Sequence, residues 1–181
     1  AQADLEQAQR RDPGLATVYL NLSKVWFRRG EDEMARGADP TTSFTEAIAQ
    51  ASRALERDAS LVSAYLNRGG ARVRLCERQA KFGIDTREGL ASAVTDANEA
   101  LRLDPAVAEG YALRGMAALR VAEADGFQGR DPRPGFLRAI ADLDEALKRN
   151  SSIPQLRSNR GVAYLKHGLA DHARGGDPRE S

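Results

Sequence analysis

Four cations stand in one register of the chain: Arg28, Arg74, Arg120 and Lys166, each 46 residues after the last. Seven residues before three of them stand Asn21, Asn67 and Asn159, with Leu113 interrupting the series. A column of cations attracts carboxylates or phosphates. A side-chain amide both donates and accepts, which suits an extended peptide backbone. On a helix, seven residues is about two turns, so the two columns fall on one side. The chemistry they suggest is recognition of an extended acidic segment rather than turnover.

Nothing else in the chain points to catalysis. An active site needs a convergent set of acids, bases or ligands. His167 and His172, the two histidines, are five apart and share a helix face poorly. They read as solvated surface. Cys76 is the one cysteine, which excludes an internal disulfide framework and a cysteine-based zinc site. The carboxylates read as helix caps or spread surface charge. No cofactor fingerprint and no metal-ligand spacing is present, so no cofactor is expected. Lys plus Arg is 27 against 26 Asp plus Glu, a net charge of +1; a dedicated nucleic-acid binder is usually far more lopsided. No run approaches the ~18 apolar residues of a membrane span.

The elements that carry the columns emerge from a second regularity. "GADP" at 37–40, "GIDT" at 83–86, "GRDP" at 129–132 and "GGDP" at 175–178 recur at the same 46-residue interval. Tyr19, Tyr65, Tyr111 and Arg157 keep that register, as do Ser23, Gly69, Gly115 and Gly161. So do Ala8, Ala54, Ala100 and Ala146, followed by Asp12, Asp58, Asp104 and Asn150. Each unit reads as two helices. In the third, Asp104-Pro105 looks like a helix start, with Val107, Tyr111, Gly115, Ala118 and Ala122 at helical spacing. Asp131-Pro132 starts the next helix. Phe136, Ile140, Leu143 and Leu147 form its stripe, and Lys148 and Arg149 suit its C-terminal dipole. The Asp of each GxDP turn is predicted to cap the second helix, with capping boxes at Asp85/Glu88 and Asp177/Glu180. The glycine ahead of it supplies the freedom of the turn. A phosphate loop is excluded, since no lysine follows and no strand precedes.

These units resemble the tetratricopeptide repeat, whose pattern is W-x2-L-G-x2-Y, then A-x3-F, then A and P, over about 34 residues. The third unit offers Tyr111, Arg114 and Gly115, then Ala139, Leu143 and Ala146. The second offers Tyr65, Arg68 and Gly69, then Ala93, Ala97, Ala100 and Pro105. The first offers Tyr19, Leu22, Ser23 and Trp26, then Ala47, Ala51 and Ala54, and the fourth offers Arg160, Gly161 and Tyr164. About a dozen extra residues per unit fall before Phe44, Leu90 and Phe136. Sel1-like repeats, also lengthened, are the second family of this shape. The resemblance implies an all-α, right-handed superhelical solenoid of antiparallel helix pairs. It divides the chain into the second helix of a truncated unit (1–12), whole units at 13–58, 59–104 and 105–150, and a partial unit at 151–181. Because the chain starts inside a unit, fraying is expected at 1–11 and 171–181.

In that family the first helices line a concave groove that holds peptides. The resemblance therefore implies a protein-interaction scaffold, with Asn21, Asn67, Asn159, Arg28, Arg74, Arg120 and Lys166 in the groove. The family's carboxylate clamp is not expected: it would want Lys at 20 and Asn at 24, where Leu20 and Lys24 stand, and Ala112 and Met116 occupy further cationic places. Two other readings compete. A nucleic-acid-binding repeat would set stacking aromatics beside the cations, and only Phe27 is close. A self-associating array would join through its open ends. One feature of the core has its own logic. Arg68 and Arg114 sit where the family prefers Leu, and a buried guanidinium needs a partner. Asp96 and Asp142 recur in the matching second helices. In the first unit both places change together, to Leu22 and Gln50. Salt bridges Arg68–Asp96 and Arg114–Asp142 are therefore expected.

Overall fold

The computed structural model describes residues 14–173 continuously, together with Leu5, Gln7, Arg11, Asp12 and Gly175. Most of 1–12, and the capping residues Asp177 and Glu180, lie outside the described residues; Leu5, Gln7 and Arg11 are helical. From Ala16 onward the chain runs through α1 (Ala16–Ala35), α2 (Thr41–Arg57), α3 (Val62–Ala80), α4 (Arg87–Leu103), α5 (Ala108–Phe127), α6 (Arg133–Arg149) and α7 (Pro154–Ala173). Every helix packs on the next, building an all-α solenoid of stacked pairs. None is long and apolar enough to cross a membrane.

The recurring turn is a helix stop followed by a helix start. Gly37, Gly83 and Gly129 lie at φ 73°, 72° and 72°, the left-handed region open to glycine at no steric cost. That conformation closes a paired motif on the helix end. Gly37 N–H donates to the Met34 carbonyl at 3.1 Å and Ala38 N–H to Glu33 at 2.8 Å. Gly83 with Ile84, and Gly129 with Arg130, repeat the pair. Two residues past each glycine, an aspartate accepts from the first residue of the following helix. Asp39 takes Thr41 N–H at 3.2 Å, Asp85 takes Arg87 N–H at 3.1 Å and Asp131 takes Arg133 N–H at 3.1 Å.

The starts of the first helices differ from the sequence expectation. Asp104 does not open a helix at Pro105. Its carboxylate closes a tight turn on Ala106 N–H at 2.9 Å, and α5 begins only at Ala108. Asp58 and Asn150 make the same turn on Ser60 and Ser152, at 2.9 and 3.0 Å. A short polar side chain that bonds its own backbone two residues on forms such a turn as readily as a cap, and Pro105 sits within it.

Small residues set the helix spacing. A Cβ at Gly69 would lie 2.6 Å from a Leu113 methyl and 3.2 Å from the Asp96 Cβ. One at Gly115 would meet Leu143 at 3.0 Å and the Ala139 carbonyl at 3.1 Å. At the same place in the first unit, the Ser23 hydroxyl donates to the Ala47 carbonyl at 2.6 Å. Ala47, Ala93 and Ala139 are fully buried opposite. The core is a chain of clusters along the stack, each drawing on neighbouring helices, such as Leu90, Ala93 and Ala97 with Leu113 and Ala117. No single pair encloses its own core.

Candidate functional site

Helices α1, α3, α5 and α7 form one side of the stack. Each touches the next along the row, while α2, α4 and α6 do not touch one another. The cation and asparagine columns lie on the helices of this continuous row.

On that face the cations do not stand alone. Glu31, Glu77 and Glu123 follow Arg28, Arg74 and Arg120 by three residues and keep the same register. Arg74 lies 2.9 Å from Glu31 of the preceding unit and 3.0 Å from Glu77 of its own. Arg120 lies 2.6 Å from Glu77 and 2.9 Å from Glu123. Lys166 lies 2.8 Å from Glu123. The two series interleave into an alternating ladder that ties unit to unit. Burial opposes the charge on Arg74 and Arg120, and their glutamates outweigh it, Glu77 foremost, raising both guanidinium pKa values. Arg28, at the start of the ladder, is exposed.

In the asparagine column, Asn67 faces between units. Asn67 donates its amide to the Ser23 hydroxyl of the preceding unit at 2.5 Å. Leu113, at the equivalent place, is buried against the Gly69 position. Asn159 is half-buried and Asn21 exposed. Of the seven groove candidates, Arg74, Arg120, Lys166 and Asn67 thus make contacts that join units, and Asn21 and Arg28 are open to solvent.

A second set of arginines staples the array from within. Arg68 grips Asp96 through Nη2 at 2.7 Å and Nε at 3.1 Å, and reaches back to Ser52 of the preceding unit at 3.2 Å. Arg114 grips Asp142 at 2.7 and 2.9 Å and reaches back to Asn98 at 2.9 Å. Arg160 reaches Asp144 at 2.6 Å. The hydrogen bonds that Arg114 donates to Asp142 raise its pKa above the ordinary value. Asp96 is held from the other side by Arg72 as well. In the first unit Leu22 and Gln50 are both buried.

His167 is not solvated surface. It is largely buried, with Nδ1 3.2 Å from Asp171, which also meets Arg133 at 3.2 Å. The i,i+4 spacing of His167 and Asp171 places them on one face. His172 is exposed. Cys76 is buried, and burial, then Glu77, pushes its thiol up to about 11, away from the thiolate form that reacts.

Beside Cys76, a cavity of about 480 Å³ opens between the second and third units. Cys76, Ala80, Ile84, Leu90, Ala124 and Phe127 supply its apolar wall, and Glu77, Arg120 and Glu123 of the ladder stand at its edge.

Solved structures share the fold. The first tetratricopeptide-repeat (TPR) domain of human RPAP3 superposes with a TM-score of 0.58 at 16% identity, over 84% of this chain and 98% of that one. The fold is that of the tetratricopeptide repeat. MamA superposes similarly, with a TM-score of 0.59 and 19% identity over 97% of this chain and 76% of MamA. The first TPR of Spaghetti, solved with the HSP90 peptide SRMEEVD, gives 0.53 and 17% over 80% of this chain and 94% of that one. No protein-family profile and no curated protein matches the sequence. Against a repeat of about 34 residues, this array has first helices of 20, 19 and 20 residues in its three complete pairs.

Proposed function

We propose that the chain is a non-catalytic protein-interaction scaffold whose inner face holds an extended segment of a partner protein. What supports this reading is the continuous row of first helices, α1, α3, α5 and α7, which carry register-matched polar places. A segment lying across that row meets the same chemistry once per unit, so weak contacts add along its length. The peptide held by the Spaghetti domain, SRMEEVD, is an example of such a ligand on this fold.

The finer part of the proposal is an acidic segment. Four ladder cations face three ladder glutamates, an excess of one positive charge. Arg28 and Asn21, both exposed, are the most accessible contact points. Arg74, Arg120 and Lys166 keep part of their surface open, and a ligand carboxylate reaches them in competition with a glutamate. Affinity for an acidic peptide is therefore modest, at about 10 µM or weaker, and falls with added salt.

Fluorescence polarisation of a labelled acidic octapeptide, against its basic counterpart, tests this. The acidic peptide binds the intact chain, and Arg28→Glu weakens it severalfold without lowering the melting temperature. Equal binding of both peptides removes the acidic preference. Binding of neither removes the groove itself.

A further inference from the structure

We propose that the cavity between the second and third units is an anchor pocket that takes one aromatic side chain from the bound segment. This rests on the scaffold reading above and names what gives it specificity. The argument comes from the repetition itself. At this junction three matched places carry residues unlike their counterparts in the other units. Phe44 and Phe136 fill the first and third units, but Leu90 stands between them. Phe44 is fully buried, its ring packed on Gly30 and edge-on to Phe27 at 5.7 Å. Leu90 is shorter than that ring, Cys76 stands where the flanking units carry Gly30 and Ala122, and both line the buried end of the cavity.

The rim departs in the opposite sense. Ile84 replaces Ala38 of the first unit and Arg130 of the third, and Phe127 replaces Lys81 of the second and Ala173 of the fourth. Both are exposed, Phe127 to 93%. Elsewhere the array covers these places with charge or an alanine, and here it offers two large apolar side chains at the mouth of a hole. Charged neighbours are already matched: Arg120 with Glu77 and Glu123, and Arg87 with Asp85. What remains for a ligand is apolar wall. A pocket of this size lined by apolar groups with a polar edge suits an aromatic group. The ladder at its edge is continuous with the inner face, so a segment in the groove can turn one side chain into it.

Two labelled acidic octapeptides, identical but for a central Phe or Ser, provide one arm of the test. N-acetylphenylalaninamide, titrated into the isotope-labelled chain and followed by NMR, provides the other. The Phe peptide binds on the order of tenfold tighter than the Ser peptide, and the amide shifts resonances of Cys76, Ile84 and Ala124. Leu90→Phe, which restores the residue of the flanking units, abolishes both effects. So does Phe127→Lys, a surface change that leaves the fold intact. If neither peptide binds while the amide still saturates those resonances, the groove reading fails and the pocket stands. If both peptides bind alike, or the amide leaves those resonances unmoved, the pocket assignment is overturned. It is overturned too if sedimentation shows a dimer of the free chain that Phe127→Lys dissolves, since the occupant is then a second copy.

Discussion

Asp96 and Asp142 occupy the same place in successive units, yet their removal should not cost the same. Asp96 is 1% exposed and lies between two guanidiniums, Arg68 and Arg72, themselves 19% and 24% exposed. Asp142 is 15% exposed and meets one, Arg114, at 32%. Truncating a buried partner leaves an uncompensated charge in a poorly solvated place, at about 3–5 kcal/mol when burial is complete. An exposed pair is worth about 0.2–1 kcal/mol. Asp96→Ala strands two positive charges facing each other, with a little solvent to relieve them, and should cost about 3 kcal/mol. Asp142→Ala strands one that water already reaches, and should cost about 1 kcal/mol. For a chain of this size that is a loss of roughly 6–12 °C against 2–4 °C in melting temperature. Circular dichroism in heat and urea reads the global loss. Hydrogen exchange in α3 and α4 locates it, because a stacked array need not unfold in one step. Arg72 has no counterpart elsewhere: the matched residues are Trp26, Ala118 and Tyr164. Arg72→Ala should therefore bring the cost of losing Asp96 down toward that of losing Asp142. Equal losses at the two aspartates, or no coupling to Arg72, refutes the reasoning.

Two further outcomes follow from the hinge and the core. Gly83→Ala meets no atom within 4 Å but holds φ at +72°, so it should cost about 1–2 kcal/mol of backbone strain. Gly69→Ala drives its methyl to 2.6 Å from Leu113 and should cost more, about 1–3 kcal/mol with loss of the α3–α5 contact; denaturant midpoints rank them. With its pKa at about 11 against 9.0 for a free thiol, Cys76 should alkylate about a hundredfold more slowly than an unfolded control at pH 8, since each pKa unit lowers the thiolate fraction tenfold. Matched iodoacetamide rates in native and urea-unfolded protein overturn that.

Much of the fold can be read from the chain because each local signal is repeated. A single Gly–x–Asp is a weak turn signal, but three in strict register, each with its glycine at positive φ, specify a stop and a start. The Arg–Asp contacts are marked by variation inside the chain, since Leu22 and Gln50 replace both partners at once. The ladder was less legible. Glu31, Glu77 and Glu123 stand in plain register, but whether a cation faces its own glutamate, the preceding one or solvent depends on the rise and rotation between units. Those are properties of the stack, set by contacts such as Leu113 on Gly69. The same holds for Arg160 on Asp144 and Arg114 on Asn98, which cross from one unit to the last. The start of α5 misled because Asp before Pro serves a tight turn and a helix cap with the same atoms.

The ladder and the cavity both sit where the units are lengthened. A helix of 20 residues, like α5, spans about 30 Å at 1.5 Å per residue, which is longer than a unit of about 34 residues needs for either of its helices. Toward the hinge end of the first helices the core places facing the second helix carry Gly30, Cys76 and Ala122, which bury little apolar surface. Contact between units there includes charged groups. The ladder supplies them at Arg74, Arg120 and Lys166, each tied to a glutamate of the preceding unit. Ion pairs demand less filled volume than a packed core does. The cavity at the junction of the second and third units can then stand open without parting them. On this argument the extra length does two jobs. It sets charges between units to hold the stack together, and it frees one junction from close packing, so that the hole can receive a side chain from outside.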